Sequence, residues 1–289
     1  MNYEIAQRIK EIKNLPTLPS IATEILRIVR DEDITINKIL EVIEKDPPLA
    51  MKVLRVANSA YYGLRYGVKS LKHAIVLLGF NEISRIAIAF SIIKILTPSG
   101  KHKINWKQLW KHSIACGYIA QTLADRVGVP VHSGIYSHGL LHDIGKIVLY
   151  RIDEKRFIEA FEETSDTDKI GAEIEKKYLR ISHDQAGELI AQEWNLPEEF
   201  VIIIGKHHEI DKIENIYMKD IASIINLADY LANRIELGFM STNILNDTKS
   251  INYLKERFDV LEDISLNDLE EDIQLSLEKI KDFIQQEEI

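Results

Sequence analysis

Apolar residues return at intervals of three and four along almost the whole of this 289-residue chain, and alternating, strand-like runs are scarce. A period near 3.6 commits the backbone to helices. A helix can bury its apolar stripe only against another element, and here the other elements are helices too. The chain is therefore expected to be all-α. Its seven prolines and thirteen glycines support this, because many of them fall at joints between periodic segments.

The first region begins at Leu15-Pro-Thr-Leu-Pro19, a rigid entry. The pattern then predicts a helix to about Arg30 with Ser20 as its N-cap, and a second over Thr35–Glu44 capped by Thr35. A third opens at Asp46-Pro47-Pro48, with Asp46 as cap and proline in the first turn. Leu71–Leu78 is stopped by Gly79, and Glu82–Leu96 is apolar around most of its circumference, as a centrally buried helix would be. Thr97-Pro-Ser-Gly100 is the best internal boundary. Beyond it, helices are expected over Trp106–Val127, over His132–Tyr150, from a Ser182 cap, after Pro197, over Ile221–Ile235 and over Leu266–Ile289. This divides the chain into an N-terminal helical subdomain (1–97), a multi-helix bundle (98–240) and an acidic C-terminal helical extension (241–289).

The run His138-Gly-Leu-Leu-His-Asp-Ile-Gly-Lys146 places His142 and Asp143 inside an apolar helical segment. Imidazole and carboxylate both ligate divalent metals, and burying either without a partner is unfavourable. His112, His183, His207, His208 and Asp229 flank the pair along the chain, so five of the nine histidines form one series with two aspartates. Groups on separate helices meet only in a bundle interior, where bundles build metal sites. Mixed oxygen and imidazole donors favour one or two ions of iron, manganese, zinc or nickel over calcium. Two such ions about 4 Å apart would clamp a phosphoryl group. The candidate metal ligands are thus His112, His142, Asp143, His183, His207, His208 and Asp229. Asp143 and Lys146 are the candidate catalytic residues. Lys146 is placed to meet a phosphate oxygen or to pair with a carboxylate, and Gly145 would leave room for close approach. His102 and His132 read as surface or hydrogen-bonded core residues. His73 and His138 read the same way, with His138 as a support for His142 in the alternative.

The single cysteine, Cys116, excludes an intramolecular disulfide and a cysteine-based zinc site, and fits a reducing cytosol. The N-terminus has no signal-peptide core, and the longest apolar run, Ile86–Leu96, is interrupted by Ser91 and Lys94. It falls far short of the roughly 20 residues that span a bilayer, so a cytoplasmic protein with no membrane partner is expected. Of 45 acidic and 36 basic residues, 259–289 hold eleven and two, which leaves 34 of each sign elsewhere. A balanced body with an acidic tail argues against broad nucleic-acid binding. The lysine-rich stretch Lys94–Lys111 reads as a solvated loop and helix start, with direct DNA binding as a minor alternative. The apolar stripe of the last helix reads as intramolecular packing, with a homodimer seam as the alternative.

Leu15-Pro-Thr-Leu-Pro19, Asp46-Pro47, Asn58-Ser-Ala-Tyr-Tyr-Gly63, Ala74-Ile75 and Leu78-Gly79 together resemble the HDOD (HD-related output domain) family, within the HD superfamily of metal-dependent phosphohydrolases. The resemblance covers Leu15 to about Ile210. It implies an all-α, HD-like bundle and a role in bacterial signal transduction, in a family where many members have lost their metal ligands. The series from His112 to Asp229 is similar to the ladder of the HD-GYP phosphodiesterases, which cleave cyclic di-GMP. Two departures stand out: Gln108 occupies a place where that family can offer glutamate, and Ile-Asp-Lys-Ile-Glu follows Glu209 in place of a Gly-Tyr-Pro segment. The reading is an HDOD-type output module that keeps an HD-like metal site and acts mainly through contact with a signalling protein. The alternative is an active phosphohydrolase on a nucleotide or cyclic dinucleotide. With about fourteen residues before Leu15, the signal is expected to arrive from a separate molecule.

Overall fold

The computed structural model describes residues 17–31, 35–59, 62, 67–98, 100, 102–130, 134–165, 171–235, 237, 239 and 248–278. Leu15, Pro16, Ala60, Tyr61, Gly63, His132 and the stretch 279–289, all used in the sequence reading, lie outside them. Among the described residues every regular element is helical: α1 (Ser20–Val29), α2 (Ile36–Ile43), α3 (Pro47–Ala57), α4 (Leu71–Leu78), α5 (Phe80–Leu96), α6 (Trp106–Arg126), α7 (Ile135–Leu141), α8 (Ile144–Ile152), α9 (Glu154–Ser165), α10 (Gly171–Leu179), α11 (His183–Glu193), α12 (Glu198–Lys206), α13 (Ile216–Arg234), α14 (Thr248–Arg257) and α15 (Leu266–Glu278), with two short 3-10 turns. The fold is all-α.

Local chemistry sets several of the helix starts. The Thr35 side chain accepts from the Lys38 amide at 3.4 Å, Asp46 from Leu49 at 3.1 Å and Ser70 from His73 at 3.2 Å. Each satisfies an amide that the first helical turn leaves without a partner. Ser20 is not a cap. It is the first helical residue, and Pro19 precedes it with its carbonyl accepting from both the amide and the hydroxyl of Thr23. Pro19 fixes the entry angle, so no side-chain cap is needed there.

α5 is the central strut. Twelve of its seventeen residues are buried. It packs on α1, α3 and α4, and also touches α7 of the bundle. α6 is its counterpart in the second region, lying against α7, α13 and α15. Leu269 and Ile273 of α15 are buried, while Leu275 is exposed. One continuous apolar core includes residues of both regions, from Ala22 through Ile273. No helix among the described residues is long and apolar enough to cross a membrane.

Two glycine crossings bring the site elements together. A Cβ on Gly139 would lie 2.7 Å from Gly117 Cα, so α7 and α6 touch backbone to backbone. A Cβ on Gly145 would lie 1.8 Å from the His183 carbonyl oxygen, so α8 meets the start of α11 just as closely. This corrects one expectation: the space beside Gly145 is taken by the main chain of His183. It also bears on a second. The segment expected as one helix to Tyr150 is broken, with His142 and Asp143 forming the turn between α7 and α8. Seating Gly145 on α11 while Gly139 rests on α6 directs the two short helices to different partners, and the turn absorbs the change.

Candidate metal centre

The turn delivers two adjacent side chains into one buried place. Asp143 occupies the N-cap position of α8 without capping it, so its carboxylate is committed elsewhere. Oδ2 lies 3.6 Å from His112 Nε2 (α6), 3.4 Å from His142 Nε2 and 2.5 Å from Lys146 Nζ. Oδ1 faces the other way, 3.4 Å from His183 Nε2 at the start of α11. Asp229 of α13 completes the first side, 3.0 Å from His112 Nε2 and 3.9 Å from His142 Nε2. His207 and His208, just past α12, complete the second, and His208 Nε2 lies 3.1 Å from His183 Nε2. Potential ligand atoms fall into three overlapping groups, each within 4.8 Å: His112, Cys116, His142 and Asp229; His183, His207 and His208; His142, Asp143 and His207.

Four of these six spacings between candidate ligand atoms match an ion's requirements, and the His112–Asp143 and His142–Asp229 spacings are somewhat longer. Bonds of about 2.1 Å at tetrahedral or octahedral angles put neighbouring ligand atoms about 3.0–3.4 Å apart. The rings are also oriented for ligation. Nδ1 of His142 lies 2.7 Å from the Gly139 carbonyl, Nδ1 of His112 lies 3.1 Å from that of Leu237, and Nδ1 of His207 lies 3.0 Å from that of Ile204. A carbonyl only accepts, so each Nδ1 carries a proton and Nε2 is the ring nitrogen left to face the cluster as a potential ligand. Nε2 of His142, Nε2 of His207 and Oδ1 of Asp143 are all buried without a hydrogen bond. Lone pairs converging on lone pairs, away from water, call for a cation between them. The residues fit a divalent metal.

The electrostatics agree. Burial would raise the Asp143 carboxyl, but Lys146, His142 and His183 hold it well below the usual range. Asp229 is lowered in the same way by His112, against its burial. Both carboxylates are therefore charged and ready to ligate. Burial, with His142 and His183 nearby, pushes His207 down to about 4, and His208 is also lowered by burial. Both are neutral ligands at neutral pH. His142 and His183 shift upward despite burial, His142 because of Asp143 and His183 because of Glu175.

The fold thus gathers all seven sequence-derived candidates. Lys146 pairs with Asp143, one of the two roles open to it, and also lies 6.0 Å from the centre of the Phe239 ring. His138 packs edge-on against Phe200, and the Gly139 carbonyl lies 2.7 Å from His142 Nδ1. Cys116 cannot form an all-thiolate site, yet its Sγ lies 3.5 Å from His112 Nε2, a placement in the cluster that the sequence reading did not give it. Helical spacing of four was the available signal. Sequence reasoning also missed Glu175, whose Oε2 lies 2.7 Å from His183 Nδ1, and Asn226, whose amide faces His208 Nδ1 at 3.5 Å.

The HDOD domain family model matches residues 15–210 of the chain. An uncharacterized protein of Treponema pallidum (strain Nichols) is 26% identical over 221 residues, covering 76% of this chain and 42% of the relative. The chain spans less than half the length of the curated relatives it matches. Among solved structures, an HDOD domain protein of unknown function from Geobacter sulfurreducens is 25% identical with a TM-score of 0.71, covering 97% of this chain and 95% of that one. A protein of Shewanella amazonensis SB2B with a provisional phosphohydrolase name is 22% identical with a TM-score of 0.70, covering 96% and 97%.

Proposed function

The chain belongs to the HDOD family, and from that premise we propose that it is a signal-transduction output module that retains an HD-like centre for two divalent ions and passes its signal on by protein contact. The observation that carries this reading is the Asp143 carboxylate, which turns one oxygen to His112 and His142 and the other to His183. His112, His142 and Asp229 would hold one ion, His183, His207 and His208 the other, and Asp143 would be shared. Iron, manganese, zinc and nickel suit such a donor set. Exposed apolar side chains offer contact surface: Met51, Val76 and Leu77 in the first region, Ile216 and Tyr217 at the start of α13.

A second reading, a phosphohydrolase acting on a nucleotide or cyclic dinucleotide, is favoured by Lys146. Its ammonium sits against Asp143, at the junction of the two halves. The ions would supply Lewis-acid polarisation of a phosphoryl oxygen. Asp143 would orient Lys146, and Lys146 would offer its N–H donors to a phosphate oxygen. The provisional phosphohydrolase name of the Shewanella protein points the same way. The two readings part on one assay. Protein loaded with manganese, iron, zinc or nickel is tested on bis(p-nitrophenyl) phosphate. Bound metal without turnover supports the signalling module. Turnover that disappears in both His142→Ala and Asp143→Ala supports the enzyme.

A further inference from the structure

We infer that Glu175 is a positioning residue for one half of this centre: it fixes His183 and strengthens metal binding on the His183–His207–His208 side without doing so on the His112–His142–Asp229 side. This rests on the metal-centre reading above. Glu175 lies on α10 and is fully buried. Its Oε2 accepts from the backbone N–H of His183 and lies equally close, 2.7 Å, to ring Nδ1. Two contacts on one oxygen fix both the first residue of α11 and the rotation of its imidazole. Nδ1 points away from the cluster, so Glu175 stands behind His183 and not among the ligands.

The other rings are held differently. His112 rests on the Leu237 carbonyl, His142 on Gly139, and His207 on Ile203 and Ile204. Those acceptors are neutral, whereas Glu175 is an anion. A carboxylate behind an imidazole raises the basicity of the far nitrogen and fixes the tautomer that ligates. Burying a carboxylate is costly unless something offsets it, and a cation at His183 Nε2 would do so through the ring. Both of the Glu175 hydrogen bonds go to His183; its charge also reaches Lys146, but its direct hold on a ligand ring is confined to one half.

The test titrates Co2+ into chelator-stripped full-length protein without oxygen, following the visible absorption of the bound ion and competition with a chelator. Glu175→Gln keeps the shape and one acceptor oxygen but removes the charge. We expect one of two Co2+ equivalents to weaken about 10- to 100-fold, the scale for lost outer-shell partners, with the other unchanged. Glu175→Ala should weaken the same equivalent further. Added to His208→Ala, which damages the same half, Glu175→Gln should have little extra effect; added to Asp229→Ala it should have its full effect. Equal weakening of both equivalents, or no change in either, would overturn the inference. If the wild-type chain takes up no Co2+, the metal-centre reading fails and this inference with it. Two equivalents in the wild type and an unaltered Glu175→Gln titration remove Glu175 alone.

Discussion

Glu82 on α5 and Asp143 at the α7–α8 turn are equally buried, each 1% exposed, but they meet different neighbours. Glu82 receives a hydrogen bond from Tyr62 Oη at 2.9 Å. Arg85 Nη1 is 3.9 Å away, and its Nε is bound to Glu199 at 2.7 Å. Burial dominates there and pushes the Glu82 carboxyl up to about 7. Asp143 has an ammonium at 2.5 Å and three imidazoles within 3.6 Å, and it is held well below the usual range against its own burial. Desolvation penalises both anions; the neighbouring cations and donors decide which one stays charged. Glu82 is thus tolerated in the first region by holding its proton more tightly, while Asp143 and Asp229 in the second stay charged.

The largest test of that contrast is Asp143→Ala. It leaves Lys146 buried without its partner, so the metal-stripped protein should lose about 3–5 kcal/mol, measured by urea denaturation. Glu82→Gln should do the reverse. Because the folded state binds the Glu82 proton more tightly than the unfolded chain, its burden is absent below about pH 4.5, grows as pH rises to about 7 and stays constant above. At pH 8 the variant should therefore be more stable than the wild type by roughly 3 kcal/mol, and at pH 4.5 nearly equal to it. Denaturation midpoints at the two pH values check this; a gain of the same size at both would break the contrast.

Gly145→Ala sharpens it from the backbone side. The new methyl would collide with the His183 carbonyl, costing about 1–3 kcal/mol as an overpacked contact does and displacing a ring of the centre. Thermal unfolding with and without added metal separates the two effects. The smallest change is expected at the first region's surface. Asp46→Ala removes the α3 cap and the exposed pair with Lys94, for about 1 kcal/mol by urea denaturation.

Much of this was legible because its causes are local. Helical periodicity and side-chain caps such as Thr35 and Asp46 act within a few residues, so the helices they start can be read from the chain. The ligand series was legible for a related reason: imidazoles and carboxylates inside apolar helical segments need partners, and only the bundle interior supplies them. The α7–α8 break was not legible, because it depends on where Gly139 and Gly145 find their partner helices. Glu175 was hidden likewise. A glutamate in the stretch Glu173-Ile-Glu-Lys-Lys looks like a solvated helix face, and only tertiary packing buries it, with α10 lying on α9 and meeting the start of α11.

The central claim is that Asp143 joins two metal positions, and the metal content of protein purified without chelator tests it most directly. The account predicts about two equivalents of a divalent transition metal per chain, falling below one in Asp143→Ala while Glu82→Gln keeps both. A wild-type chain that stays metal-free even after incubation with iron, manganese, zinc and nickel would contradict it, as would an Asp143→Ala variant that still retains two.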